Sequence, residues 1–179
     1  QGLFVTAGDS LNGDAVYGYD SYKESAVYAY RLFDFEKGQY VVSYDYKSEG
    51  SKLDYGRIFI VPSDYEITAG ERIGYVNETT NKPSLPAECI SLDANAILAN
   101  TIALTNKEES FFITEPGRYK FVVQWYNKGD YTGTLPLWLD NVEVNKESCA
   151  VIDELKVIDS DYQSVTATFK NYNESATVC

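Results

Sequence analysis

From Tyr119 to Tyr126 the chain alternates without a break. Tyr119, Phe121, Val123 and Trp125 fall on one face, Lys120, Val122, Gln124 and Tyr126 on the other. A period of two is the signature of a β-strand, because successive side chains point to opposite sides of the backbone. The same period recurs elsewhere. Ala26, Tyr28, Tyr30 and Leu32 share a face of 25–33, and Tyr40, Val42, Tyr44 and Tyr46 share a face of 40–47 against Val41, Ser43, Asp45 and Lys47. Tyr55 to Pro62 is a further strand, closed by its proline. No stretch of 12 or more residues carries the helical period.

The punctuation agrees. Glu36-Lys37-Gly38-Gln39, Ser48-Glu49-Gly50-Ser51, Glu115-Pro116-Gly117-Arg118 and Asn127-Lys128-Gly129-Asp130 are turns. Pro83 and Pro86 exclude a helix from the irregular stretch 63–97. Asp93 to Ala99 is expected to make one helical turn capped by Asp93, before strands at 99–105, 109–114 and 135–144. Nine or ten strands in about 145 residues predict an all-β fold, a two-sheet antiparallel β-sandwich. Several strands carry aromatics on both faces, so many tyrosines are expected at the core margin, ring inward and hydroxyl toward water.

Composition then narrows the chemistry. The chain of 179 residues has no His and no Met, three Cys and a net charge of −12. Without His there is no Ser-His-Asp or Cys-His centre and no His-ligated metal. Three cysteines do not complete a Cys₄ zinc or iron–sulfur site. A sequence pI near 4.4 argues against nucleic acid as a partner, since phosphate contacts need clustered Lys and Arg. With 15% aromatic residues the acidic chain is a folded one. No apolar run approaches a membrane span, and no signal-peptide pattern opens the sequence. Cys89, Cys149 and Cys179 are either buried thiols or disulfide partners, in no pairing the sequence decides. The tail from Ser148 carries two strands and part of a third, too short to bury a core alone. The expected division is therefore a sandwich over 1–147 and, over 148–179, the start of a second domain in a longer chain.

Five pieces in order carry a family likeness. They are Tyr28-Ala29-Tyr30-Arg31; Gly38 to Lys47; Asp54 to Pro62; Gly117 to Trp125; and Leu137-Trp138-Leu139-Asp140-Asn141-Val142-Glu143-Val144. Together they resemble the jelly-roll modules of secreted Bacteroidetes surface proteins, similar to cleaved-adhesin and choice-of-anchor domains and to the haemagglutinin/adhesin regions of gingipains. The resemblance implies a jelly roll over roughly 15–146, followed by the opening of a fibronectin-III or other Ig-like domain at Cys149. It implies a secreted or cell-surface, non-catalytic module, with glycans or host surface proteins as partners beside neighbouring domains. It also implies structural calcium between an N-terminal loop, Asp9, Asn12, Asp14 and Asp20, and the final strand at Asp140 and Asn141. Oxygen-rich acidic loops suit that ion.

Sugars stack on exposed aromatic rings flanked by amides and carboxylates. Tyr126 and Tyr131, on either side of the polar loop 127–130, and Trp138, opposite in phase to Leu137 and Leu139, are the expected ligand-binding residues. Trp125, in phase with Phe121 and Val123, is expected in the core. The alternatives are an architectural spacer with no ligand and, ranked last, a hydrolase using paired carboxylates.

Overall fold

The computed structural model describes residues 3–4, 23–77, 79–80, 82–129, 137–147, 152–160 and 165–171. The chain divides into two compact units, Gln1–Asn145 and Lys146–Cys179. The larger unit holds β1 (Leu3–Phe4), β2 (Ser25–Phe35), β3 (Gly38–Ser48), β4 (Tyr55–Pro62), β5 (Tyr75–Asn77), β6 (Lys82–Ser84), β7 (Ile90–Ser91), β8 (Thr101–Ile113), β9 (Gly117–Asn127) and all but the last residue of β10 (Trp138–Lys146). The smaller unit contributes an antiparallel pair, β11 (Ile152–Ser160) and β12 (Val165–Asn171). No described helix is long and apolar enough to cross a membrane.

Two four-stranded sheets make the sandwich. Sheet A has the order β1-β10-β3-β8 and sheet B the order β2-β9-β4-β7, with β5 and β6 a separate hairpin. Along the chain, successive sandwich strands change sheet at every step except from β4 to β7. That wrapped order, two interlocked Greek keys, is a jelly roll. The β2–β9, β4–β9 and β3–β8 ladders are antiparallel and run almost the full strand lengths.

The core forms where the alternating faces meet. Tyr40, Val42, Tyr44, Phe111, Ile113 and Leu139 of sheet A pack on Phe35, Ile58, Ile60, Phe121, Val123 and Trp125 of sheet B. Trp125 is buried, as its phase predicts. The tyrosines go deeper than expected. Tyr40, Tyr44, Tyr55 and Tyr126 are all buried, and they are tolerated because their hydroxyls find partners. Tyr44 donates to the Leu92 carbonyl at 2.9 Å, and Tyr40 exchanges hydrogen bonds with the backbone of Glu36.

Two further expectations change. The strands foreseen at 99–105 and 109–114 are one strand, because Asn106, Lys107 and Glu108 pair with Asp45, Tyr44 and Ser43. No helical turn forms after Asp93. Ala94 and Asn95 take φ of 56° and 51°, and the Ala96 amide bonds back to the Asp93 carbonyl at 3.0 Å. Two left-handed residues inside that bond make a tight reversal instead of a helix.

Asp93 is occupied otherwise than as a cap. Its carboxylate holds Arg57 in a two-pronged pair, Nε to Oδ2 at 2.6 Å and Nη2 to Oδ1 at 3.1 Å, with both side chains buried. The Ile58 amide donates to Oδ2 and the Ser91 hydroxyl to Oδ1. Lys107 Nζ donates to the Asp93 carbonyl from β8 at 3.1 Å.

Much of the described part of 63–100, poor in strands, lies against the outer side of sheet B, while Ile90, Leu92 and Leu98 join the core between the sheets. Ile73, Tyr65, Ile67, Leu85 and Cys89 pack on Phe59, Val61 and Val122. The Ile73 amide donates to Gln124 Oε1 at 2.8 Å, and Lys120 Nζ to the Tyr65 carbonyl at 2.7 Å. Cys89 is an unpaired, half-buried thiol in this layer. Burial, helped by Glu88 and opposed by Arg57, pushes it up to about 11.

Removing one partner of a buried ion pair strands a desolvated charge. Arg57→Met or Asp93→Asn is therefore expected to cost about 3–5 kcal/mol in urea unfolding. The double change Arg57→Met/Asp93→Asn should cost clearly less than the sum of the single changes. Additive losses would mean that the two groups do not act as a unit. For Cys89, reaction with iodoacetamide at pH 8 in a Cys149→Ser/Cys179→Ser background should be far slower in the folded chain than in urea, because the thiolate is the nucleophile. Equal rates would place the thiol in open water.

Candidate functional site: the outer face of sheet A

The sandwich has two broad outer faces, and the chain treats them differently. The outer face of sheet B is covered by side chains from 63–100, among them Ile67, Ile73, Val76, Leu85 and Ile97. Tyr126 lies under that cover, contrary to the expectation of an exposed sugar platform. It is 1% exposed, its ring lies 5.1 Å from that of Tyr55, and Arg72 sits over it at 4.5 Å. Its hydroxyl donates to Glu24 Oε1 at 2.6 Å. Burial first, then that carboxylate, raises its pKa. Period two correctly puts Tyr126 on the face opposite the core, but a second apolar layer then closes over that face.

The outer face of sheet A has no such cover among the described residues. Three neighbouring strands bring polar groups together there. From the central strand β3 come Asp45 and Lys47, the phase opposite to buried Val42 and Tyr44. From β8 comes Asn106, which stands directly across from Asp45. From β10 come Trp138, Asp140 and Asn141. Asn106 Nδ2 donates to Asp45 Oδ1 at 2.8 Å, and Asn141 Nδ2 to Asp45 Oδ2 at 2.7 Å. Each carboxylate oxygen thus receives one amide, one from either flanking strand. The two bonds, that of Asn106 first, hold the Asp45 carboxyl below the ordinary aspartate range.

Asn141 reaches Asp45 through a kink in its own strand. Its φ is 50°, a left-handed value that asparagine tolerates better than most residues. Its amide donates to Asp140 Oδ1 at 2.9 Å. The strand changes phase at this point. Leu137 and Leu139 are buried before it, while Val144 packs on the core after it. A one-residue change of phase is what a β-bulge produces. Trp138, Asp140 and Asn141 therefore lie on one side.

Trp138 is half-buried, and Lys47 Nζ lies 5.5 Å from the centre of its ring. The expectation that Trp138 and the leucines face opposite ways is met, with the leucines inward. Lys47 follows Asp45 by two residues on the same face, about 7 Å along the strand. The strip ends at β8, where pairing slips between Tyr46 and Ser48 and leaves Ile102 and Leu104 79% and 52% exposed. The arrangement offers an aromatic plane, an ammonium, a carboxylate and two amides on rigid strands.

Of the expected site residues, Trp138 and Asp140 belong to this face and Tyr126 does not. Asp9, Asn12, Asp14, Asp20 and Tyr131 lie outside the described residues, as do Cys149 and Cys179. Asp140, expected among calcium ligands, accepts a backbone amide in the kink. Among the described residues no three His, Cys, Asp or Glu side chains gather to hold a metal ion. Asp45, Lys47 and Asn106 were not singled out from the sequence. Their common signal is the outward phase of β3, but the pairing that joins them to Asn141 is visible only in the fold.

No protein-family model and no curated sequence matches the chain. Eight chains of solved structure resemble it. One is TmCBM61, solved in complex with β-1,4-galactotriose. It is 17% identical at a TM-score of 0.38, covering 70% of this chain and 66% of its own, slightly under two thirds.

Because the depressed Asp45 pKa comes from two amides, Asn106→Ala and Asn141→Ala should each raise it toward the ordinary value near 3.9, Asn106→Ala the more. Carboxyl ¹³C NMR titration measures this. The clamp is fully present above the unfolded pKa of Asp45 and is lost as pH falls through its lower folded value. No movement in either variant would mean that the amides do not hold the carboxylate.

Proposed function

We propose that the sandwich unit is a non-catalytic glycan-binding module of a secreted or cell-surface protein, with the sugar seated on the outer face of sheet A. One observation carries the reading: Trp138, Lys47, Asp45, Asn106 and Asn141 form a continuous strip on the broad face that no described residue covers. The chemistry suits a sugar. A pyranose presents an apolar C–H face, which a tryptophan ring matches, and an equatorial rim of hydroxyls, each both donor and acceptor. Lys47 donates beside the ring, Asp45 accepts, and the two asparagine amides offer both capacities. All of these groups stand on paired strands, so little ordering entropy is lost when a ligand arrives.

The family resemblance supports the same reading with its expectation of an adhesive surface module, part of a longer chain whose neighbours the second unit would begin. Under this reading Tyr126 contributes to stability and not to binding.

A glycan array followed by calorimetry with the best oligosaccharide tests the proposal. Trp138→Ala should weaken binding more than tenfold, about 1.4 kcal/mol, without shifting the melting transition by more than a few degrees. Asp45→Ala should weaken it in the same direction. An array without a hit, or binding indifferent to Trp138→Ala, would favour an architectural spacer with no ligand of its own.

A further inference from the structure

The two sheets separate at the margin where β2, the edge of sheet B, faces β10. A cleft of about 300 Å³ opens there. Phe33, Phe121, Leu139 and Val142 form its walls, with Tyr30 and Arg31 at the mouth. The change of phase at Asn141 is what turns Val142 into this space. Tyr30 and Val142 remain 57% and 40% exposed, so the entrance is apolar as well.

Arg31 is the unusual group. Its guanidinium carbon lies over the Phe33 ring, 5.1 Å from the centroid. Among the described residues it has no carboxylate within ion-pair distance. Asp34, three residues along β2, pairs instead with Arg118 at 3.8 Å. In a chain of net charge −12, an arginine at the mouth of an apolar cleft, with no described carboxylate paired to it, is a selective feature. Its fork of donors matches a carboxylate in two parallel hydrogen bonds.

We propose that this cleft binds an aliphatic carboxylate, with the hydrocarbon chain between the sheets and the carboxylate on Arg31. The volume sets the size. At roughly 30 Å³ per water-sized group, the cleft holds on the order of ten non-hydrogen atoms, the size of octanoate. The site is separate from the face around Trp138 and does not rest on the glycan reading.

The test titrates the full chain with octanoate, octanol and octylamine, read by ¹H–¹⁵N NMR shifts of β2 and β10. Octanoate should bind at least tenfold more tightly than octanol, and octylamine should not bind. Arg31→Gln should lower octanoate affinity at least tenfold while leaving octanol unchanged. Val142→Trp should fill the space and abolish both. Trp138→Ala should leave octanoate binding intact, which separates this site from the sugar face. Equal affinity for the three ligands, an octanoate affinity unchanged in Arg31→Gln, or no shifts at millimolar octanoate would overturn the proposal. Arg31 is exposed, so its variant remains informative even if Val142→Trp fails to fold.

Discussion

A buried, two-pronged ion pair between Arg57 and Asp93 sits where the chain leaves sheet B for sheet A. Burying two charges is unfavourable unless every oxygen and every donor is met. Here the Arg57 fork, the Ile58 amide and the Ser91 hydroxyl together occupy both carboxylate oxygens. The surrounding backbone is drawn in as well. Lys107 from β8 and Tyr44 from β3 bind the carbonyls of Asp93 and Leu92. One short segment is thus tied to three strands in both sheets. The left-handed pair Ala94 and Asn95 is the local strain that this junction tolerates.

That junction anchors one end of the long excursion 63–100, whose side chains pack on the outer side of sheet B. The excursion has little regular structure of its own. It is held by apolar contacts and by side chains rising from sheet B, with Gln124, Lys120 and Tyr28 accepting or donating to its backbone. Tyrosine is well suited to such a layered arrangement. Its ring adds to the apolar layer while its hydroxyl completes a polar contact across it. Among the described residues, Tyr28, Tyr40, Tyr44, Tyr55 and Tyr126 join layers together in this way.

The strands of the sandwich were legible because period two survives wherever one face is buried. Ser25–Phe35, Gly38–Ser48, Tyr55–Pro62 and Gly117–Asn127 lie within a few residues of their expected limits. What escaped has a common cause. The polar centre of β8 looked like a loop because Asn106, Lys107 and Glu108 are charged or amidic, yet cross-strand pairing with β3 keeps them extended. Asp93 looked like a cap because its partner Arg57 is 36 residues away. The Asp45 clamp needs three strands in register, and register depends on pairing between segments far apart in sequence. Trp138 was found because its contrast with two flanking leucines is local. Tyr126 was misplaced because period two reports a face, not what later covers it.

The slip between Tyr46 and Ser48 has a consequence for the molecule's life in a crowd. β8 is the outermost strand of sheet A and is 13 residues long, and such an edge invites another chain to add itself as a further strand. Three residues of β8 stand against one of β3 at the slip, so the row of backbone donors and acceptors loses its regular spacing there. Beyond it, Lys107, Glu108 and Glu109 follow in direct succession. An incoming strand would meet first a broken ladder and then three successive charged residues, one basic and two acidic. Ile102 and Leu104 stay exposed at this edge, but on a backbone whose shape discourages fibre-like stacking.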